Sequence, residues 1–156
     1  MNQAGLPKDR IADSGGALTQ PWNLYLSDQA EQLLAAPSLV KLYQNTGLTS
    51  SLAAEDLASG GVSQGVYMIA YEARITTAAG VSSSLQLSFS WTRNGQTITQ
   101  ATTAYTGNST GTLAATGSLM PFVDDSTPVT VATTLSTSGS PAAVYEMAVA
   151  LIRVSA

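Results

Sequence analysis

The chain has no cysteine and no histidine, and charged residues fill only 10% of its 156 positions. Each shortage closes a class of chemistry. Without cysteine there is no disulfide and no thiolate zinc site, and the redox compartment leaves no trace in the sequence. Without histidine the usual base of a serine hydrolase is missing, and Lys41 is the one lysine beyond the first 26 residues. Ten acidic residues against six basic ones give a net charge of −4. Past position 60 the basic residues are Arg74, Arg93 and Arg153, too few for the stripe that phosphate contacts require, so no nucleic-acid partner is expected. No apolar run approaches the ~20 residues of a membrane span. The stretch Met1 to Lys8 lacks the apolar core of a signal peptide. The expectation is a chain made in the cytoplasm that reaches any other place by assembly, with no membrane partner.

In place of charge there is serine, threonine, alanine and glycine, a composition suited to short β-strands and to a surface partly covered by other subunits. The clearest element is a hairpin from Ser84 to Thr103. Leu85, Leu87, Phe89 and Trp91 alternate with Gln86, Ser88, Ser90 and Thr92, the period of two of a half-buried strand. Asn94-Gly95 follows, the pair favoured in a two-residue type I′ turn because both positions take positive φ. The register sets Arg93 opposite Gln96 and Trp91 opposite Ile98. Leu87, Phe89, Trp91 and Ile98 are therefore the expected sandwich core.

Residues 1–60 read differently. Pro7, Pro21 and the turn at Asp13 to Gly16 break regular structure and suggest an extended arm. The arm carries Ile11 and the cluster Trp22, Leu24, Tyr25 and Leu26, more apolar surface than such an arm can bury alone, so these are the candidate interface residues. Ser27 reads as an N-cap, and the sequence from Asp28 to Ala36 predicts one short helix stopped by Pro37. Residues 38–44 fit either a strand or a further helical turn. Residues 51–58 are weakly helical or loop.

From 61 to 156 strands are expected at 66–77, in the two hairpin arms, at 112–119, at 129–135 and at 143–154. Regular spacing with turn signals between predicts an all-β antiparallel β-sandwich, jelly-roll-like, preceded by the arm and the helix. The first and last of these strands are apolar on both faces, which predicts that they pair or sit centrally, with an outer face meeting another subunit or the N-terminal helix.

Candidate chemistry is sparse. Asp124 and Asp125 lack the loop spacing of a calcium motif, and the glycines show no phosphate-cradling pattern, so no metal and no cofactor are expected. Glu72, Arg74 and Glu146 suit a cross-strand ion pair better than the two carboxylates of a glycosidase. No catalytic residue is assigned, and a non-enzyme is expected. Asn108-Ser109-Thr110 matches a glycosylation sequon, taken as coincidence in a chain without a secretory signal. Tyr105, Phe122, Asp124 and Asp125 are the residues a carbohydrate-reading module could use.

The layout resembles small virion proteins of tailed bacteriophages. The resemblance rests on Ile11-Ala12-Asp13-Ser14-Gly15-Gly16 and Thr19-Gln20-Pro21-Trp22-Asn23-Leu24-Tyr25-Leu26, followed by a Ser/Thr-rich β domain ending on Tyr145-Glu146-Met147-Ala148-Val149-Ala150-Leu151. The segment at 15–26 is its most specific part. It implies a non-enzymatic structural role in the virion, commonly as a homotrimer attached through the arm to other capsid or tail proteins. The missing heptads and triple-β stalk favour a short capsid-decorating or adaptor protein over a fibre. The second expectation is a tail or receptor-binding module that recognises host-surface carbohydrate.

Overall fold

The computed structural model describes residues 37–110 and 113–155. The expected arm, its candidates Ile11, Trp22, Leu24, Tyr25 and Leu26, and the expected helix at 28–36 lie outside the described residues. Ten strands follow: β1 Ser38–Leu48, β2 Glu55–Asp56, β3 Gly65–Thr77, β4 Ser82–Arg93, β5 Gln96–Ala101, β6 Tyr105–Thr106, β7 Leu113–Leu119, β8 Phe122–Val123, β9 Thr130–Ser138 and β10 Val144–Ser155. They make two antiparallel sheets. The first runs β1-β10-β3-β7, with β8 also pairing β3, and the second runs β2-β9-β4-β5, with β6 also pairing β4.

The two longest apolar strands do pair. β10 lies antiparallel to β3 from Val144 opposite Thr77 to Ser155 opposite Val66, and both are inner strands of the first sheet. The hairpin has the expected register, Trp91 opposite Ile98 and Arg93 opposite Gln96. Asn94 and Gly95 have φ of 53° and 72°, the left-handed values the turn requires.

Residues 38–57 take part in the sheets. Residues 38–44, which fitted strand or helix, belong to the strand β1, which extends to Leu48 and pairs β10 along its length. Residues 51–57 run beside β9 rather than forming a helix. Leu135 N–H donates to Ser51 Oγ, Thr133 N–H to the Leu52 carbonyl and Leu57 N–H to the Val129 carbonyl, so this stretch covers one edge of the second sheet.

The core is the set of side chains that alternation turns inward. Tyr67, Ile69, Ile75, Tyr145, Val149 and Leu151 come from the first sheet, and Leu85, Leu87, Phe89, Trp91 and Val131 from the second; all are buried. Tyr71 and Phe89 meet across the gap with ring centroids 5.0 Å apart. Each fully buried side chain of this size contributes about 1.5–3 kcal/mol relative to exposure. Ile98 corrects the expectation. It stands opposite Trp91 on the apolar side, yet it is 36% exposed. β5 is the terminal strand of its sheet and is exposed along its whole length. The face of β5 therefore overhangs the core.

One polar group is built into the interior. The Tyr145 hydroxyl, on the first sheet, is hydrogen-bonded to Thr133 Oγ1 on the second. Tyr145 also donates to the Ser50 carbonyl at 3.1 Å, while Leu52 N–H donates to Thr133 Oγ1 at 2.9 Å. A phenol has one proton, so the Thr133 hydroxyl donates to Tyr145 and accepts from Leu52. Both hydroxyls of this network and the Leu52 N–H are thereby satisfied, as burial demands.

Candidate assembly surface

With one face of β3 and β10 turned inward, the alternate residues form the outer face of the first sheet. The register sorts that face into rows running across the strands. Arg74 lies opposite Glu146. One step along, Gln44, Ala148, Glu72 and Thr116 stand level on β1, β10, β3 and β7. Then come Leu42, Ala150, Ala70 and Ser118, and after them Leu39, Ile152 and Met68. One end of the face is charged, its middle is floored by alanine, and its other end is apolar.

The charged end is held by an ion pair. Arg74 Nε donates to Glu146 Oε1 at 2.6 Å, with side chains 54% and 30% exposed. At that exposure the pair adds little to stability, and its interest lies in the pattern it presents. Gln44, Thr46, Glu72, Arg74, Glu146 and Ala148 line a shallow groove of about 370 Å³ there.

The apolar end coincides with the large side chains exposed to solvent. Leu39, Val40 and Leu42 of β1 are 61%, 40% and 50% exposed, and Met120, one residue past β7, is 58% exposed. They flank the sheet on its two sides. Among the described residues β1 is the edge strand, eleven residues long, with no proline and with Lys41 as its one charge. Proteins usually blunt such an edge, and a long apolar one marks a place where another chain pairs or packs.

The other candidates from the sequence are employed in holding the fold. Asp124 Oδ2 accepts the Gly95 N–H at 2.8 Å, and Asp124 N–H donates to the Thr92 carbonyl, so this acid braces the hairpin turn. Tyr105 pairs Leu85 at the opposite end of β4. Seven residue steps, about 23 Å, separate Leu85 from Thr92 along that strand. Tyr105 is thus not gathered with Asp124, nor with Phe122, which pairs Val66 at the Asp124 end. Asn108 Nδ2 donates to the Ala79 carbonyl, and its Oδ1 accepts from Ala79 N–H and Ser83 Oγ, so the sequon's amide is bound to backbone. Among the described residues no three His, Cys, Asp or Glu side chains cluster as a metal would need.

Two phenols are shifted by their surroundings. Burial pushes Tyr145 above its ordinary value of 10.0, opposed by the Thr133 hydrogen bond and reinforced by Tyr43. Burial likewise raises Tyr67, with Arg153 opposing and Asp125 reinforcing. Tyr67 donates to the Ser63 carbonyl at 2.8 Å, so it too is anchored rather than poised to react.

The two-faced apolar character of β3 and β10 is legible in the sequence, whereas the alanine rows and β1 are not. Their signal was present in Leu39, Val40 and Leu42, whose spacing fits a helix turn as well as a strand. No protein-family model and no curated protein matches this sequence.

Proposed function

We propose that the protein is a non-enzymatic structural component of a bacteriophage virion, a capsid-decorating or minor capsid subunit that forms a homotrimer and is anchored through residues 1–26. The observation that carries this reading is the outer face of the first sheet. The described residues close their core without this face, and its edges carry the exposed Leu39, Leu42 and Met120, as a surface that packs against another chain does. The aromatic-bearing arm, the low charge and the layout shared with small phage virion proteins point the same way. The carbohydrate-reading alternative gains nothing from residues held at opposite ends of β4.

Deleting residues 1–26 tests the anchoring. The expected outcome is a folded sandwich, with unchanged far-ultraviolet circular dichroism, that no longer co-sediments with particles assembled in its presence. Incorporation at the copy number of the full chain would refute the role of the arm.

A further inference from the structure

The proposed trimer leaves open which surface joins the copies. We infer that the outer face of the β1-β10-β3-β7 sheet packs against the same face of a second copy, around a rotation axis parallel to the strands. This inference rests on the self-association in the function proposed above and adds the surface and its geometry.

The argument comes from the rows. Rotation about an axis along the strands keeps equivalent heights level and brings the β3–β7 half of one copy to the β10–β1 half of the next. Arg74 stands level with Glu146, so Arg74 meets Glu146 of the next copy, and the exposed guanidinium gains a second carboxylate. Ala70 meets Ala150, and Met68 meets Ile152. At the margins Met120 comes towards Leu39 and Leu42 of the neighbour. The same rotation sets Glu72 over Ala148 of the next copy, one row from the ion pairs; an axis across the strands would instead lay both members of the ion pair on the Met68 and Ile152 row, stripping water from two charges rather than one. The pattern thus selects the direction of the axis: a two-fold axis lays the whole of one face on the other, whereas the three-fold axis of a trimer sets the β3–β7 half of each copy against the β10–β1 half of a different neighbour.

Size is consistent with this. Four strands and about eight residues of length give a face of about 500 Å² per copy. Fully apposed, two such faces give about 1,000 Å², the lower limit of specific protein interfaces; about a three-fold axis each copy divides its about 500 Å² between two neighbours. The alanines leave the floor flat, so backbones of neighbouring copies can approach closely.

A cysteine pair tests it cleanly, because the chain has none of its own. Leu42 and Ser118 lie in one row on β1 and β7, three strand spacings apart, about 14 Å within one copy. That is too far for an internal disulfide. Between copies the rotation brings them together. The full-length Leu42→Cys/Ser118→Cys variant is expected to oxidise at micromolar concentration to covalent multimers on a non-reducing gel, while either single variant does not form the ladder. An uncross-linked band from a chain whose light-scattering mass is a multiple of 16.0 kDa would overturn the surface assignment.

Charge exchange gives an independent readout. Arg74→Glu is expected to lower the solution mass, and Arg74→Glu with Glu146→Arg to restore it; unchanged mass in the single variant would overturn the inference. A cross-linked multimer that fails to join particles refutes the virion reading alone. A particle-bound chain whose cysteines stay reduced refutes the surface alone.

Discussion

Replacing Thr133 by valine removes one hydroxyl and keeps nearly the same shape. In the native chain that hydroxyl accepts from Leu52 N–H at 2.9 Å and donates to the Tyr145 phenol, which passes its own proton to the Ser50 carbonyl. Thr133 is 4% exposed. The variant leaves the Leu52 N–H without its acceptor and the Tyr145 oxygen without its donor. An orphaned group of this kind costs about 1–3 kcal/mol, and since Leu52 is only half-buried, water recovers part of it. About 2 kcal/mol is expected. With an unfolding entropy of about 2.1 cal/mol/K per residue, the compact unit Pro37–Ala156 gives about 0.25 kcal/mol/K, so Tm should fall by about 8 °C. Urea denaturation followed by circular dichroism measures the loss directly, with an unchanged m-value. Tyr145→Phe removes the other end of the chain of bonds, and the double variant should lose at least 0.5 kcal/mol less than the two single losses combined. A loss below about 0.5 kcal/mol for Thr133→Val, or strict additivity in the cycle, would refute the network.

Two further outcomes follow from burial. Trp91→Ala should cost about 3–5 kcal/mol, whereas Ile98→Ala on the overhanging strand should cost under about 1 kcal/mol; comparable losses in urea titration would mean that β5 is covered after all. Alkaline pH should destabilise the fold. Tyr145 and Tyr67 hold their protons more tightly folded than unfolded, so their contribution is complete below pH 10.0 and is lost as pH rises through their higher folded-state values. Tyr145→Phe should therefore flatten the fall of Tm as pH rises above 10.0, and a fall as steep as in the parent chain would show that this phenol does not couple to folding.

How much was legible depended on where each strand sits. β3, β4, β9 and β10 run through the middle of their sheets; alternation marks β4 and β9 in the sequence, and long runs apolar on both faces mark β3 and β10. β1 is an edge strand whose pairing slips between Leu39 and Lys41, and that bulge breaks the period just where it was needed. β2, β6 and β8 are two residues long, too short to carry a period at all. Ile98 was misplaced because alternation reports which side of a sheet a residue occupies, not whether anything lies opposite. The ion pair of Arg74 with Glu146 was legible because it needed just the pairing of the end strands. The Thr133 network was not, since it joins residues 50, 52, 133 and 145 through a cross-sheet contact that no local pattern encodes.

The brace between Asp124 and the hairpin turn also bears on how the chain ages. An Asn-Gly pair deamidates when the glycine nitrogen loses its proton and closes on the asparagine side-chain carbonyl. Here that proton is shared with a carboxylate at 2.8 Å. The negative charge opposes ionisation of the Gly95 nitrogen, and the bond keeps it from swinging towards Asn94. The residue pair that lets the hairpin turn in two residues is also the one most prone to this reaction, and Asp124 slows it for as long as the fold is intact.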